Sequence, residues 1–297
     1  VTSESAAESA AAVQERPFDR GLRRLRRDRA ERSGDDAFYL HRRATEELLE
    51  RLDLVQREFR SALVLGCGDL RLPDRLRSRG IEVAAADAGA RLARAAAGVH
   101  CDEDRLPFAD GAFDLVLSVG VLDTVNDLPG ALTLIRRTLR PDGLFLASFA
   151  GAGSLPRLRQ AMRAADTAEG LDPSPRLHPQ VDVRACGDLL GRAGFTLPVV
   201  DIESVAVRFA GLGRLIGDLR GMAGTNLLAL RSRRPLGRVG LAAAIADFAA
   251  GADTDGKIAE RFEIIYLSGW APSPDQPRPA RRGSATASLT EALRRKD

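Results

Sequence analysis

Residues 62–70, Ala62-Leu63-Val64-Leu65-Gly66-Cys67-Gly68-Asp69-Leu70, constrain the fold of this chain more than any other stretch. An apolar run that ends in Gly-x-Gly and an acid reads as a buried strand entering a helix. Gly66 and Gly68 permit backbone conformations closed to other residues and let the main chain approach a ligand closely. Taken alone, the pattern also fits an ordinary strand-to-helix turn. A dinucleotide fingerprint needs a third glycine at position 71, where the chain has Arg71. Asp69, at the expected start of the helix, would repel a pyrophosphate. A ligand without phosphates fits better, and S-adenosylmethionine has none. Its ribose diol, adenine, sulfonium and zwitterionic tail call for carboxylates.

The order of elements extends this reading. Asp35 to Phe59 has apolar residues at helical spacing and predicts one long helix, broken at most once, with Asp35 as cap. After the first strand come a helix over 69–79, a strand over 81–86 closing on Asp87, a helix over 89–97 and a strand over 99–101. A strand over 113–119, a helix over 128–139 and a strand over 143–149 follow. Such alternation predicts an α/β fold: a Rossmann-like, doubly wound, mostly parallel seven-stranded sheet with helical insertions. Residues 151–180 and 208–258 read as lid-like insertions, with helices over 155–166, 209–222 and 236–250, and a further helix over 181–193 lies between them. Strand-like alternation spans 195–207 around Pro198, and a last strand covers 262–267. The expected divisions are a disordered tail over 1–17, one domain over 18–270 with N-terminal helices over 18–60, and a loosely held tail over 271–297.

Ligands of doubly wound sheets bind beyond the carboxyl ends of the strands, which would gather Gly66, Gly68, Asp87, Asp102 and Ser118. Asp87 either accepts both ribose hydroxyls or caps the next helix. Asp102-Glu103-Asp104, followed by Leu106-Pro107-Phe108, offers a carboxylate to the adenine amino group and a ring to the base, or is a plain acidic turn. Arg20 to Arg32 is a dense arginine cluster, read either as a solvated helix face or as a basic helix resting on an acidic partner.

Other chemistries find little support. His41, His100 and His178 have no ligand spacing, so no metal is expected and each histidine is read as structural or solvent-facing. Cys67, Cys101 and Cys186 form no C-x-x-C pair. Hydrolase and P-loop motifs are missing. Net charge is only +3 and aromatics are sparse, which argues against nucleic acid. No apolar run reaches the ~20 residues of a membrane span, so a soluble, bacterial cytoplasmic protein is expected, with peripheral membrane contact left open.

Together, Leu63 to Gly68, Asp87, Asp102 to Phe108, Phe113-Asp114-Leu115-Val116, Val125-Asn126-Asp127-Leu128-Pro129 and Arg140-Pro141-Asp142-Gly143 resemble the class I S-adenosylmethionine-dependent methyltransferases. Leu190 to Phe195, Ser268-Gly269-Trp270 and Arg282 to Thr286 extend the likeness to the respiratory complex I assembly factors of mitochondria and their alphaproteobacterial relatives. Some bacterial relatives are labelled after the malonyl-carrier-protein methyltransferase of the biotin pathway. The resemblance implies S-adenosylmethionine as cofactor, held by Gly66, Gly68, Asp87, Asp102, Glu103 and Ser118. The departures are Val64 for an acid, Leu70 for a glycine, Asp123-Thr124 for a His-aromatic pair, and Gly153 for an acid. Asp123 is the nominated base. The expected function is methyl transfer to a small-molecule or protein acceptor. Protein-arginine hydroxylation in complex I assembly is the alternative, and a non-catalytic assembly factor a further one.

Overall fold

The computed structural model describes residues 16–276; the ends of both expected tails, and the Arg282 to Thr286 segment, lie outside them. Seven strands form one sheet in the order β3-β2-β1-β4-β5-β7-β6: β1 (Ser61–Leu65), β2 (Glu82–Asp87), β3 (Val99–His100), β4 (Phe113–Val119), β5 (Leu139–Ala150), β6 (Thr196–Phe209) and β7 (Ile258–Trp270). The first five run parallel and β7 lies antiparallel between β5 and β6. This is the expected Rossmann-like α/β fold.

Side chains alternate across the sheet, and each set finds a helical layer. Ala62 and Val64 pack with Leu48, Leu49 and Leu52 of one helix (Tyr39–Asp53) and Leu72 and Leu76 of another (Arg71–Arg77). Leu63 and Leu65 face the opposite way, onto Leu132 and Ile135 of a helix over Leu128–Thr138 and Leu190 of one over Val183–Arg192. A third cluster belongs to the insertions, where helices Pro156–Ala168, Leu212–Gly221 and Arg238–Ala249 bury Leu158, Leu215 and Phe248 against Phe209 and Phe262.

Several boundaries differ from expectation for local reasons. The long N-terminal helix is a 3-10 turn over Asp35–Phe38 followed by Tyr39–Asp53. Asp69 does not cap its helix; Leu70 holds that position, while Asp69 accepts the Arg71 N–H at 3.2 Å. Residues 196–209 form one strand, whose pairing with β7 shifts between Thr196 and Val199. Pro198 lies in that shift on an edge strand, where its missing N–H costs no ladder bond.

The arginine cluster becomes helix α1 (Arg20–Glu31), capped by Asp19, whose carboxylate accepts the Leu22 N–H at 2.9 Å. Its burial is the reverse of an ordinary amphipathic helix. Arg23 and Arg27 are each 4% exposed, whereas Leu25 is 45% exposed. The buried face is cationic, and what lies beneath it is acidic.

Candidate functional site

The crevice forms where β1, β2 and β4 end. Gly66 has φ +88 and the space of its missing side chain is taken by β4's end: a Cβ there would stand 2.5 Å from the Val119 carbonyl oxygen and 2.7 Å from Val121 Cγ1. Asp87, at the end of β2, is buried and turned into the crevice. Its Oδ2 accepts the Cys67 N–H at 2.7 Å and its Oδ1 the Gly89 N–H at 2.7 Å. Asp87 is not the cap of the next helix, whose N-cap position is Gly89 without a side-chain cap; the backbone bonds of Asp87 fix its carboxylate at the strand end. Asp102 and Glu103, beyond β3, are buried beside it.

Sequence reasoning missed what lies on these acids. Arg27 donates from Nε to Asp87 Oδ1 at 2.7 Å and from Nη2 to Oδ2 at 2.5 Å. Arg24 Nη2 donates to Asp102 Oδ2 at 2.5 Å, Arg23 Nη1 lies 2.8 Å from Glu103 Oε2, and Arg20 Nη2 donates to Asp104 Oδ2 at 2.6 Å. The spacing 20, 23, 24, 27 places all four guanidinium groups on one helix face. The acidic partner of the basic helix is thus the crevice of the same chain, and the solvated-face reading does not hold. Burial opposes both charges of the innermost pair, yet mutual attraction and hydrogen bonding prevail: Asp87 is held below the usual carboxylate range and Arg27 above its ordinary value.

Gly68 is crowded by the N-terminal helical segment: a Cβ there would lie 2.8 Å from Phe38 Cδ1 and 3.2 Å from His41 Cδ2. His41 also covers Gly120, which has φ +65. The crowding at the turn comes from Phe38 and His41, while Leu70 packs into the insertion cluster. Ser118 does not join the group. It is fully buried on β4 between Leu65 and Ala147, with no hydrogen-bond partner for its hydroxyl. Phe108 stacks edge-on against Phe113, ring centres 5.4 Å apart.

A cavity of about 630 Å³ adjoins the crevice, enclosed by α1, the end of β4 and the insertions. Asp123 lies on its wall, and so do His41 and His178. His100 is outside it, with Nε2 3.0 Å from the Ala88 carbonyl oxygen. His178 packs edge-on against Phe18 at 5.7 Å and its Nδ1 is buried without a hydrogen-bond partner. Burial raises the Asp123 carboxyl above its ordinary value, against the pull of His178 and Arg23, and burial lowers His178. Asp123 therefore binds a proton more readily than a surface aspartate. Glu263 of β7 reaches the same wall, accepting the Gly153 N–H at 3.1 Å. Cys67 is no nucleophile, since burial pushes its thiol up. Among the described residues no group of His, Cys, Asp and Glu could hold a metal ion.

His41 gives a pH test. Burial, with Arg27 nearby, pushes it down to about 4. A base depressed in the folded state is protonated more readily when unfolded, so stability present above about 6.5 drains away as pH falls towards 4. The expected loss is on the order of 2–3 kcal/mol, read from urea midpoints across that range. His41→Gln should flatten this part of the profile; a profile of unchanged slope would contradict the assignment.

The acceptor set suits an adenosine: a glycine turn brings backbone close, and the buried carboxylates of Asp87, Asp102 and Glu103 are the kind of acceptor that a ribose diol and an adenine amino group call for. An α/β sheet of this order with such a crevice defines the S-adenosylmethionine-binding class of Rossmann-like enzymes. Comparison with known proteins agrees. Residues 63–147 match the family described as a methyltransferase domain. The chain is similar to the mitochondrial arginine hydroxylase NDUFAF5 of Danio rerio, 34% identical over 92% of this chain and 88% of that protein, and to its Homo sapiens counterpart, 34% identical over 92% and 82%. It is also similar to the malonyl-[acyl-carrier protein] O-methyltransferase of Methylovorus, 32% identical over 84% and 88%. The YcgJ protein of Bacillus subtilis shares the fold, at 14% identity with a TM-score of 0.51, over 77% of this chain and 99% of that one. The chain belongs to the class I S-adenosylmethionine-dependent methyltransferase family, close to the NDUFAF5-like and malonyl-carrier-protein methyltransferase-like members. S-adenosylmethionine is its cofactor.

The expected bacterial cytoplasmic location is corrected by these comparisons, because the NDUFAF5 relatives matched along most of the chain are mitochondrial proteins. Among the described residues no helix is long and apolar enough to cross a membrane.

Proposed function

We propose that this chain is a protein-arginine hydroxylase acting in the assembly of respiratory complex I, using the cavity beside the cofactor crevice to hold the acceptor arginine. The observation that carries this reading is the extent of the likeness to the arginine hydroxylases. It runs over 92% of the chain, well beyond residues 63–147, and so takes in the insertions that enclose the cavity. Two carboxylates support it. Asp123 and Glu263 line the cavity from different elements, and neither forms a salt bridge among the described residues. A guanidinium group is planar, permanently charged and suited to carboxylate partners, so a buried one needs acids of this kind. Gly66, Gly68, Asp87, Asp102 and Glu103 would hold the cofactor, which supplies a transferable methyl group when bound. Putting a hydroxyl on an arginine C–H bond is a two-electron oxidation and draws instead on a separate co-substrate, dioxygen with a two-electron reductant, whose second oxygen leaves as water.

A second reading rests on a different observation. Arg26 and Arg220 line the same cavity, as does Arg176, which is paired with Asp166; the first two would attract an acidic acceptor, as carboxylate methylation requires. Mass spectrometry of candidate acceptors separates the two: hydroxylation adds one oxygen to an arginine, methyl transfer adds one CH₂ unit to a carboxylate. With Asp123→Asn, the modified fraction should fall at least tenfold under either reading. Glu263→Gln should impair only arginine modification. Wild-type activity in both variants would remove these residues from the site.

A further inference from the structure

We propose that helix α1 is an internal ligand of the adenosine half of the crevice, and that S-adenosylmethionine and the arginine face of α1 exclude one another. This rests on the cofactor assignment and is independent of which acceptor is modified.

Both oxygens of Asp87 are taken by Arg27, at 2.7 and 2.5 Å, and this is the carboxylate that a ribose diol needs. Asp102 lies under Arg24 at 2.5 Å and Arg20 at 3.4 Å, with Arg23 on Glu103. The crevice therefore holds cations where the cofactor presents uncharged hydroxyls and an amino group. Each acid has a limited number of acceptor sites, and two of those on Asp87 are already claimed by the Cys67 and Gly89 N–H groups. A Cβ on Gly89 would also sit 2.8 Å from Arg27 Cβ, so the stem as well as the guanidinium group fills the space beside the acid. Cofactor and arginine cannot share it.

The helix is held in a way that allows exchange. Its buried face is arginine while Leu25 faces solvent, so apolar burial contributes little to its docking. Buried ion pairs gain little net stability once both charges have lost their water. The start of the helix is anchored separately. The Phe18 N–H donates to Asn126 Oδ1 at 2.8 Å, the Asn126 side chain donates back to the Phe18 carbonyl at 3.1 Å, and the Asp19 N–H donates to the Leu227 carbonyl at 2.8 Å. Beyond its end stands Gly34, with φ +76 and nothing near its missing side chain. Opening also has to release the bonds from Arg26 to the Asn226 carbonyl and from the Arg91 N–H to the Asp28 carboxylate. With its start held and a glycine beyond its end, the helix can then lift its arginine row without leaving the protein.

Such a competitor sets the observed affinity, because a ligand that binds only the open form is weakened by the fraction of molecules that are open. The test is calorimetry with S-adenosylhomocysteine on the full chain and on the Arg24→Gln/Arg27→Gln variant, with circular dichroism to confirm the fold. Binding at least tenfold tighter in the variant is expected. Equal or weaker binding would overturn the competition, weaker binding because it makes the arginines part of the cofactor's own contacts; no binding to either chain would remove the cofactor assignment itself, and the proposal with it. Limited trypsin digestion of the unaltered chain tests it without substitution. Saturating S-adenosylhomocysteine should speed cleavage within 20–27 relative to all other sites; protection of that segment, or no change, would count against the helix moving.

Discussion

Asp87→Ala is expected to abolish measurable cofactor binding and to lower the folding stability of the cofactor-free chain by about 3–5 kcal/mol, the usual cost of leaving one partner of a buried ion pair alone. Arg27, 4% exposed, would keep its charge with no acid to face it, and the Cys67 and Gly89 N–H groups would lose their acceptor. The double variant Asp87→Ala/Arg27→Leu should recover much of the stability, since an apolar replacement removes the stranded charge, but none of the binding. Urea midpoints and calorimetry on the same three proteins read both quantities. If the double variant were as unstable as the single one, the pair would not be what joins α1 to the crevice.

Gly66→Ala should cost about 3 kcal/mol or more. Two effects add at this position: a left-handed backbone at φ +88, worth about 1 kcal/mol to any other residue, and overpacking against the Val119 carbonyl, where backbone must give way. Gly80→Ala is the control. It has φ +79 but open space around the missing side chain, so it should show the conformational part alone, about 1 kcal/mol. Equal losses at the two positions would mean that the close approach of β1 and β4 is not the constraint described.

The fold was legible because β1, β4 and the helices between them carry patterns that local physics dictates: an apolar run closed by glycine, then helical spacing, then another run. Register and antiparallel insertion were not. Residues 262–267 read as a strand in isolation, but nothing local says that β7 enters between β5 and β6 or runs from 258 to 270. The acidic half of the crevice was also legible, since strand ends converge in doubly wound sheets. Its occupant was not, because a row of arginines at helical spacing looks the same whether its partner is water or a carboxylate sixty residues away. The signal was present in the spacing 20, 23, 24, 27, set beside the acids at 87 and 102–104, and only the tertiary contact joins them. His41 and His178 were passed over for a similar reason, as neither has a ligand spacing in sequence. Ser118 fell the other way: its strand-end position was read correctly, but alternation points it beneath the sheet.

The position of β7 has a consequence for how the protein is made. Strand β5, at residues 139–150, waits for 258–270 before its outer edge is paired, and β6, at 196–209, has no other neighbour in the sheet. Until the ribosome has released that late segment, the nascent chain carries two unpaired edges and lacks the Glu263 wall of the cavity, so the reactive half of the enzyme is completed last and the intermediate is the form most exposed to aggregation.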